Sequence, residues 1–172
     1  MHRILVAILL VSSSIYAADT ALTVDFSKSA SQKILEDSGV KLRITPNPKV
    51  VDFIWPQNLT FRLPEDISIS VHDTQGLFYQ PPGSDHLDHF SFTYYKLTPE
   101  SAMDLTGELN KALGISSDDL KAWLQFKMWK STKFLFKEKK FKTFTIGYSL
   151  RATEPSSSDE LQLDFTVRWN AG

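Results

Sequence analysis

Two histidines and two aspartates lie within five positions of this sequence and are its most obvious group of metal-binding residue types. His86 and His89 are three residues apart, and Asp88 precedes the second of them. Imidazole nitrogens and carboxylate oxygens bind zinc and related divalent ions, so these three side chains are the candidate metal ligands. Pro82 and Gly83 just before them indicate a loop. The competing interpretation is a polar loop that binds no metal, because short clusters of this kind often occur without function.

Nucleophilic catalysis has no signature in the sequence. The chain contains no cysteine, which excludes thiol nucleophiles, thiolate zinc sites and iron–sulfur clusters. It also lacks a Gly-x-Ser-x-Gly elbow and a Ser-x-x-Lys motif in a recognisable context. Asp118 and Asp119 are adjacent carboxylates, but they are explained as charges at the positive end of a helix. We therefore predict a non-enzymatic protein with no catalytic residues and no cofactor.

Lysines and aromatic residues are interleaved from position 121 onward and form the first candidate binding surface. Such a stretch can present a cationic face with aromatic anchors to an acidic protein, a glycan or a membrane surface. The alternative is an amphipathic helix and hairpin that buries the rings and leaves the lysines in water. The candidate partner-binding residues of this stretch are Phe126, Trp129, Lys130, Lys133, Lys137, Lys139 and Lys140.

A second candidate binding surface is the apolar run Leu77, Phe78 and Tyr79. It lies in the least regular part of the chain, so we predict that it occupies a loop. An apolar loop tip can enter the cleft of a partner protein. The alternative is a loop that packs on its own sheet.

The elements that must position these residues are clearest at the C-terminal end. Apolar and polar residues alternate from Leu161 to Trp169 and from Phe144 to Leu150, which predicts a hairpin with one buried face. Thr98 before Pro99 predicts the start of a helical region that covers this face. We predict an α+β fold, a single domain with a curved, mainly antiparallel sheet covered by a helical pair on one side. A β-sandwich with inserted helices is the alternative.

The N-terminal residues have the layout of a secretory signal. His2 and Arg3 precede an apolar run too short for an ordinary membrane span, and small residues follow at Ala17 and Ala18. We predict a signal peptide over residues 1–17 and a single mature domain over 18–172. Because the chain has no cysteine, a bacterial periplasmic protein is favoured, with secretion as the alternative.

Charge and composition narrow the classes of partner. The chain has 19 basic and 20 acidic residues, which gives no general attraction to nucleic acid, and no later segment is apolar enough to span a membrane. We therefore predict an exported protein that binds a protein partner through its surface. An inhibitor or immunity protein for a secreted toxin or wall-degrading enzyme is one example. The alternatives are a carrier with an apolar pocket for a small molecule or lipid, and a metal-dependent hydrolase.

Overall fold

A computed structural model gives the structure of the chain and describes residues 4–7, 21–44, 50–53, 58–71, 75–125, 134–153 and 160–170. Within these residues the fold is mixed α and β, and most strand pairs are antiparallel. This confirms the predicted α+β class. No helix of the described ranges has the length and apolar character needed to cross a membrane. The chain divides into two compact units, residues 1–90 and 91–172.

The first unit contains a four-stranded sheet of order β1-β6-β5-β2. Its strands are β1 (Ile4–Ala7), β2 (Leu22–Asp25), β5 (Leu59–Leu63) and β6 (Ile67–Val71). Strands β5 and β6 pair antiparallel through a tight turn, whereas β1 on β6 and β2 on β5 are parallel. Glu65 and Asp66 in that turn have positive φ angles of 62° and 60°, a left-handed conformation that aspartate tolerates better than most residues.

Three further strands of the first unit pair antiparallel in the order β3-β4-β7. They are β3 (Leu42–Ile44), β4 (Val50–Phe53) and β7 (Gln75–Tyr79). The helix α1 (Gln32–Asp37) lies between β2 and β3 in the chain, and the Ser31 side chain caps its N-terminus by accepting from the Ile34 backbone N–H. A helix this short depends on tertiary contacts, and its Leu35 is fully buried.

Four phenylalanine rings form the centre of the first unit's core. Phe61 stacks on Phe90 with ring centroids 4.8 Å apart and on Phe26 at 5.8 Å, and Phe78 is tilted against it at 6.1 Å. All four side chains have no exposed surface. Offset and tilted aromatic pairs at these distances add attraction to the burial of the rings.

The second unit begins at Ser91 within β8 (His89–Leu97) and also contains β9 (Phe134–Lys140), β10 (Phe144–Ala152) and β11 (Leu161–Trp169), in the order β8-β11-β10-β9. The predicted hairpin is confirmed, because β10 and β11 pair antiparallel over nine residues from Phe144↔Trp169 to Ala152↔Leu161. Leu161, Leu163, Phe165 and Val167 are buried, and the polar residues between them are partly exposed. Strand β9 lies at the edge, paired with β10 from Lys140↔Thr145 to Phe134↔Arg151.

Two helices of the second unit follow β8, namely α2 (Pro99–Leu113) and α3 (Asp118–Gln125). The predicted N-cap is confirmed, because the Thr98 hydroxyl accepts from the Ser101 backbone N–H at 3.2 Å. Gly114 ends α2 in the left-handed region with φ 65°, where a residue without Cβ is least strained. Helix α2 carries the fully buried Asn110, and the hydroxyl of Tyr148 on β10 donates to its side-chain oxygen at 3.0 Å.

Candidate protein-binding surface

Strand β9 presents an exposed aromatic ring among charged residues. Phe136 is 54% exposed, and Glu138, Lys139 and Lys140 are also exposed. These four exposed side chains are called the β9 surface below; Phe136, Glu138 and Lys140 share one face of the strand, and Lys139 lies on the other. Of the described residues, Leu77 and Tyr95 are the other large hydrophobic side chains that are exposed to this degree, and neither lies on a lysine-rich strand. Phenylalanine is among the aromatic residues enriched at the centre of protein interfaces, and charged residues are typical of the rim.

The position of the Phe136 ring depends on a glycine in the neighbouring strand. A Cβ atom added to Gly147 would lie 3.5 Å from Cε2 of Phe136 and 3.3 Å from the backbone oxygen of Lys137. The ring therefore lies over the space that a side chain at Gly147 would occupy.

We expect Gly147→Val to lower the free energy of unfolding by about 1–3 kcal/mol, because the added Cβ would lie 3.3 Å from the Lys137 backbone oxygen and the β9 backbone would have to shift. Urea titration followed by circular dichroism measures this change. Ser149→Val is the matched control. Ser149 is partly exposed, lies two residues after Gly147 on the same face of β10, and pairs with Phe136 of β9. An equal loss in both variants would show that the space above Gly147 is not the cause.

Lys137 of the same strand is bound within the protein and does not belong to the β9 surface. Its ammonium group donates to the carboxylate of Asp119 at the start of α3, and only 17% of its side chain is exposed. This hydrogen bond lowers the pKa of Asp119 below its usual value of 3.8. Asp119 therefore does more than the sequence indicated, because it connects α3 to β9 as well as carrying negative charge at a helix start.

Because the pKa of Asp119 is lowered, a small part of the free energy of unfolding is lost at low pH. The ionised Asp119 contributes stability above its unfolded pKa of 3.8, and the contribution is lost as the pH falls through the lower pKa of the folded state. Because 56% of the Asp119 side chain is exposed, we expect only about 0.2–1 kcal/mol. Urea titrations at pH 7 and pH 3 measure the loss. In Lys137→Met the free energy of unfolding should fall less between pH 7 and pH 3 than in the wild type. An unchanged pH dependence would contradict the contribution of the Lys137–Asp119 contact.

The polar face of the second unit's sheet carries a hydrogen-bonded carboxylate, Asp164, on the strand two away from β9. Asp164 on β11 accepts hydrogen bonds from the Thr93 hydroxyl and from the Gln162 amide, both at 2.9 Å. The guanidinium of Arg151 lies 3.4 Å from its other oxygen. Because Ser149 pairs with both Phe136 and Asp164, this group lies two strands in from the exposed ring.

The structure changes the prediction for Leu77, Phe78 and Tyr79. These residues belong to strand β7 and not to a loop, so their side chains alternate between the two faces. Phe78 has no exposed surface and is part of the phenylalanine core, which removes it from any partner-binding surface. Leu77 is 47% exposed. Tyr79 is partly exposed and stacks on the His89 ring at 5.1 Å.

The candidate metal ligands do not gather into one cluster. Nδ1 of His89 lies 2.7 Å from the Asp88 carboxylate, and the His89 ring stacks on Tyr79. His86 is exposed, and its backbone N–H binds the Ser84 hydroxyl within a turn that follows Pro81. Among the described residues no group of three or more histidine, cysteine, aspartate or glutamate side chains is arranged to hold a metal ion. The pair of Asp88 and His89 is explained as a local contact at the start of β8.

Four of the predicted partner-binding residues, Phe126, Trp129, Lys130 and Lys133, lie outside the described residues. Phe136 is the surface residue that sequence reasoning left out. Alternation along β9 contained the signal, since Phe136, Glu138 and Lys140 share one face of the strand, opposite Ser149, Gly147 and Thr145. Comparison with protein-family models, with curated proteins and with solved structures found no match.

Proposed function

We propose that this chain is an exported, non-enzymatic binding protein that holds an acidic protein partner on the β9 surface. The observation that carries the proposal is Phe136, an aromatic ring 54% exposed on a strand with three lysines and one glutamate. Burial of this ring by a partner would remove apolar surface from water and so favour association. Contact with a partner would bury the ring at the centre and leave the charges at the rim.

The charge of β9 supports an acidic partner. Lys137 is neutralised by Asp119, which leaves Lys140 against Glu138 on the face of Phe136 and Lys139 exposed on the opposite face. Arg168 on β11 is exposed and pairs with Thr145, which in turn pairs with Lys140. The two cations Lys140 and Arg168 would accelerate encounter with a negatively charged surface and disfavour partners of the wrong sign.

The signal layout of residues 1–17 supports export, and the absence of cysteine supports the bacterial periplasm. In that compartment the proposed role is inhibition or immunity, with a secreted toxin or wall-degrading enzyme as the acidic partner. The proposal includes a curved sheet with one face covered by α2 and α3. The hydrogen bonds from Tyr148 to Asn110 and from Lys137 to Asp119 support this cover, because each joins a helix to a strand of the second unit.

Affinity capture from the envelope fraction of the source organism tests the proposal. The immobilised protein is expected to retain one stoichiometric protein partner. Phe136→Ala should weaken that binding about 30-fold, the loss expected when an aromatic anchor worth about 2 kcal/mol is truncated. Lys139→Glu with Lys140→Glu should slow association mainly, and the effect should shrink as salt is added.

The matched control for the charge reversal is Lys28→Glu with Lys33→Glu, two exposed lysines of the first unit. This variant makes the same change in net charge at a different surface, so we expect partner binding to be unchanged. A partner lost equally from both charge-reversed variants would indicate a nonspecific effect of net charge. Failure to retain any partner at several salt concentrations, or full retention by Phe136→Ala, would refute the proposal.

A further inference from the structure

The outer edge of the four-stranded sheet in the first unit is occupied by a segment of the proposed signal peptide. Strand β6 has β5 on one side and β1 on the other. The β1 backbone pairs with β6 in parallel, from Ile4↔Ile67 to Ala7↔Ser70. Residues 4–7 lie within the segment 1–17 that export would remove. Removal would take away one of the two strands that pair with β6, so the inference rests on the proposed function.

The exposed edge strand β9 and the edge of β6 differ in charge. Strand β9 carries three lysines and one glutamate, and edge charges of this kind prevent other strands from pairing. Strand β6 reads Ile-Ser-Ile-Ser-Val and carries no charge and no proline. An uncharged edge with free backbone N–H and C=O groups is a template for another strand. The sequence therefore protects the β9 edge against strand addition, and it would leave the β6 edge open once residues 1–17 are removed.

We propose that the processed protein accepts an extended apolar segment of a partner protein at the β6 edge, as an added parallel strand. The segment seated there, Ile-Leu-Val-Ala, shows the chemistry that the edge takes. Backbone hydrogen bonds supply the affinity in strand addition, and alternate side chains supply the specificity. Ile67, Ile69 and Val71 are buried on one face, so the added strand needs apolar residues at every second position.

The direction of the seated strand favours a different protein over a second copy. Two copies that pair through the same strand about a twofold axis must place that strand antiparallel to itself. The strand that pairs with β6 here is parallel to it. The fitting occupant is therefore an extended segment from another chain, such as the apolar terminus of an envelope protein.

Hydrogen exchange on the processed protein, recovered from the envelope, tests the site. The probe is a synthetic peptide of residues 2–9 with two lysines added for solubility. In the free processed protein the outward-facing amides within 67–71 should exchange rapidly. Addition of the peptide should slow their exchange at least tenfold and leave the amides of 134–140 unchanged. The unprocessed chain should show slow exchange at 67–71 without peptide, because β1 already fills the edge.

A peptide with Val6→Pro is the matched control, because proline removes a backbone N–H and disfavours pairing at that position. It should bind at least tenfold more weakly than the parent peptide. Equal binding of the two peptides, or no protection by either, would overturn the proposal. If slow exchange at residues 67–71 of the peptide-free processed protein increases with protein concentration, a second copy occupies the edge and the proposal is overturned.

The mass of the envelope protein separates the two proposals. If residues 1–17 are retained, the predicted cleavage and the vacant edge are refuted, whereas export and the β9 surface are unaffected. If they are removed and the peptide gives no protection, the strand-acceptor site alone is refuted and the β9 surface is unaffected.

Discussion

Phe61→Ala is expected to lower the free energy of unfolding by about 3–5 kcal/mol, the range for removal of a fully buried aromatic ring. Phe61 is central to the first unit's core, since its ring contacts those of Phe26, Phe78 and Phe90 within 6.1 Å. Its truncation would remove these ring contacts and leave a cavity among rigid neighbours that cannot collapse to fill it. A loss this large is a substantial part of the total stability of a typical domain.

Urea denaturation followed by tryptophan fluorescence and circular dichroism measures the effect. Phe136→Ala is the matched control, because it makes the same chemical change at a ring that is 54% exposed. We expect the control to cost less than about 1 kcal/mol, in line with other surface substitutions. Similar losses in the two variants would show that the four rings do not form the core described here.

The second large effect is expected in alkali and depends on one tyrosine. Burial of the Tyr148 hydroxyl raises its pKa from 10.0 to about 12, although its hydrogen bond to Asn110 opposes part of the shift. The neutral phenol is therefore favoured in the folded state. The stability that results is fully present below pH 10 and is lost as the pH rises through about 12. A shift of this size corresponds to about 3 kcal/mol.

The measurement compares the free energy of unfolding of the wild type and Tyr148→Phe at pH 8, 10 and 12. Lysines titrate over the same range, so the informative quantity is the difference between the two proteins and not the loss in either. We expect Tyr148→Phe to be less stable than the wild type at pH 8, since Asn110 loses a buried hydrogen bond. The difference should shrink or reverse near pH 12. A constant difference across this range would contradict the burial of an ionisable hydroxyl.

The two substitutions also report on different units. Phe61 belongs to residues 1–90 and Tyr148 to residues 91–172. If the units unfold separately, Phe61→Ala should shift one transition and the alkaline effect should follow the other. A single transition shifted by both would indicate cooperative unfolding of the chain, as the predicted single domain requires.

Local sequence patterns were sufficient for β10, β11 and the start of α2. Alternation of apolar and polar residues predicted β10 and β11, because a strand with one buried face places every second side chain inward. The cap of α2 at Thr98 was predicted for a similar reason, since capping depends on residues within one helical turn. These features depend on contacts between residues that are close in the sequence.

The sequence could not show which members of an apolar run are buried. Leu77, Phe78 and Tyr79 are similar in character, yet only Phe78 enters the core. Whether such a run forms a loop or a strand depends on a neighbouring strand, here β4, whose Val51 pairs with Phe78. Pairing partners that are distant in the chain decide this, and periodicity within the run does not contain that information.

The β9 surface also combines features that the sequence predicts with features that only the tertiary structure decides. The amino-acid sequence by itself showed a lysine-rich stretch with aromatic residues and the absence of cysteine, and it predicts an export signal, because these depend only on residue types and their order. Tertiary structure decided that Lys137 is bound to Asp119 while Phe136 is exposed over Gly147. The physical reason is distance along the chain, since Lys137 and Asp119 are 18 residues apart and meet only when α3 lies near β9.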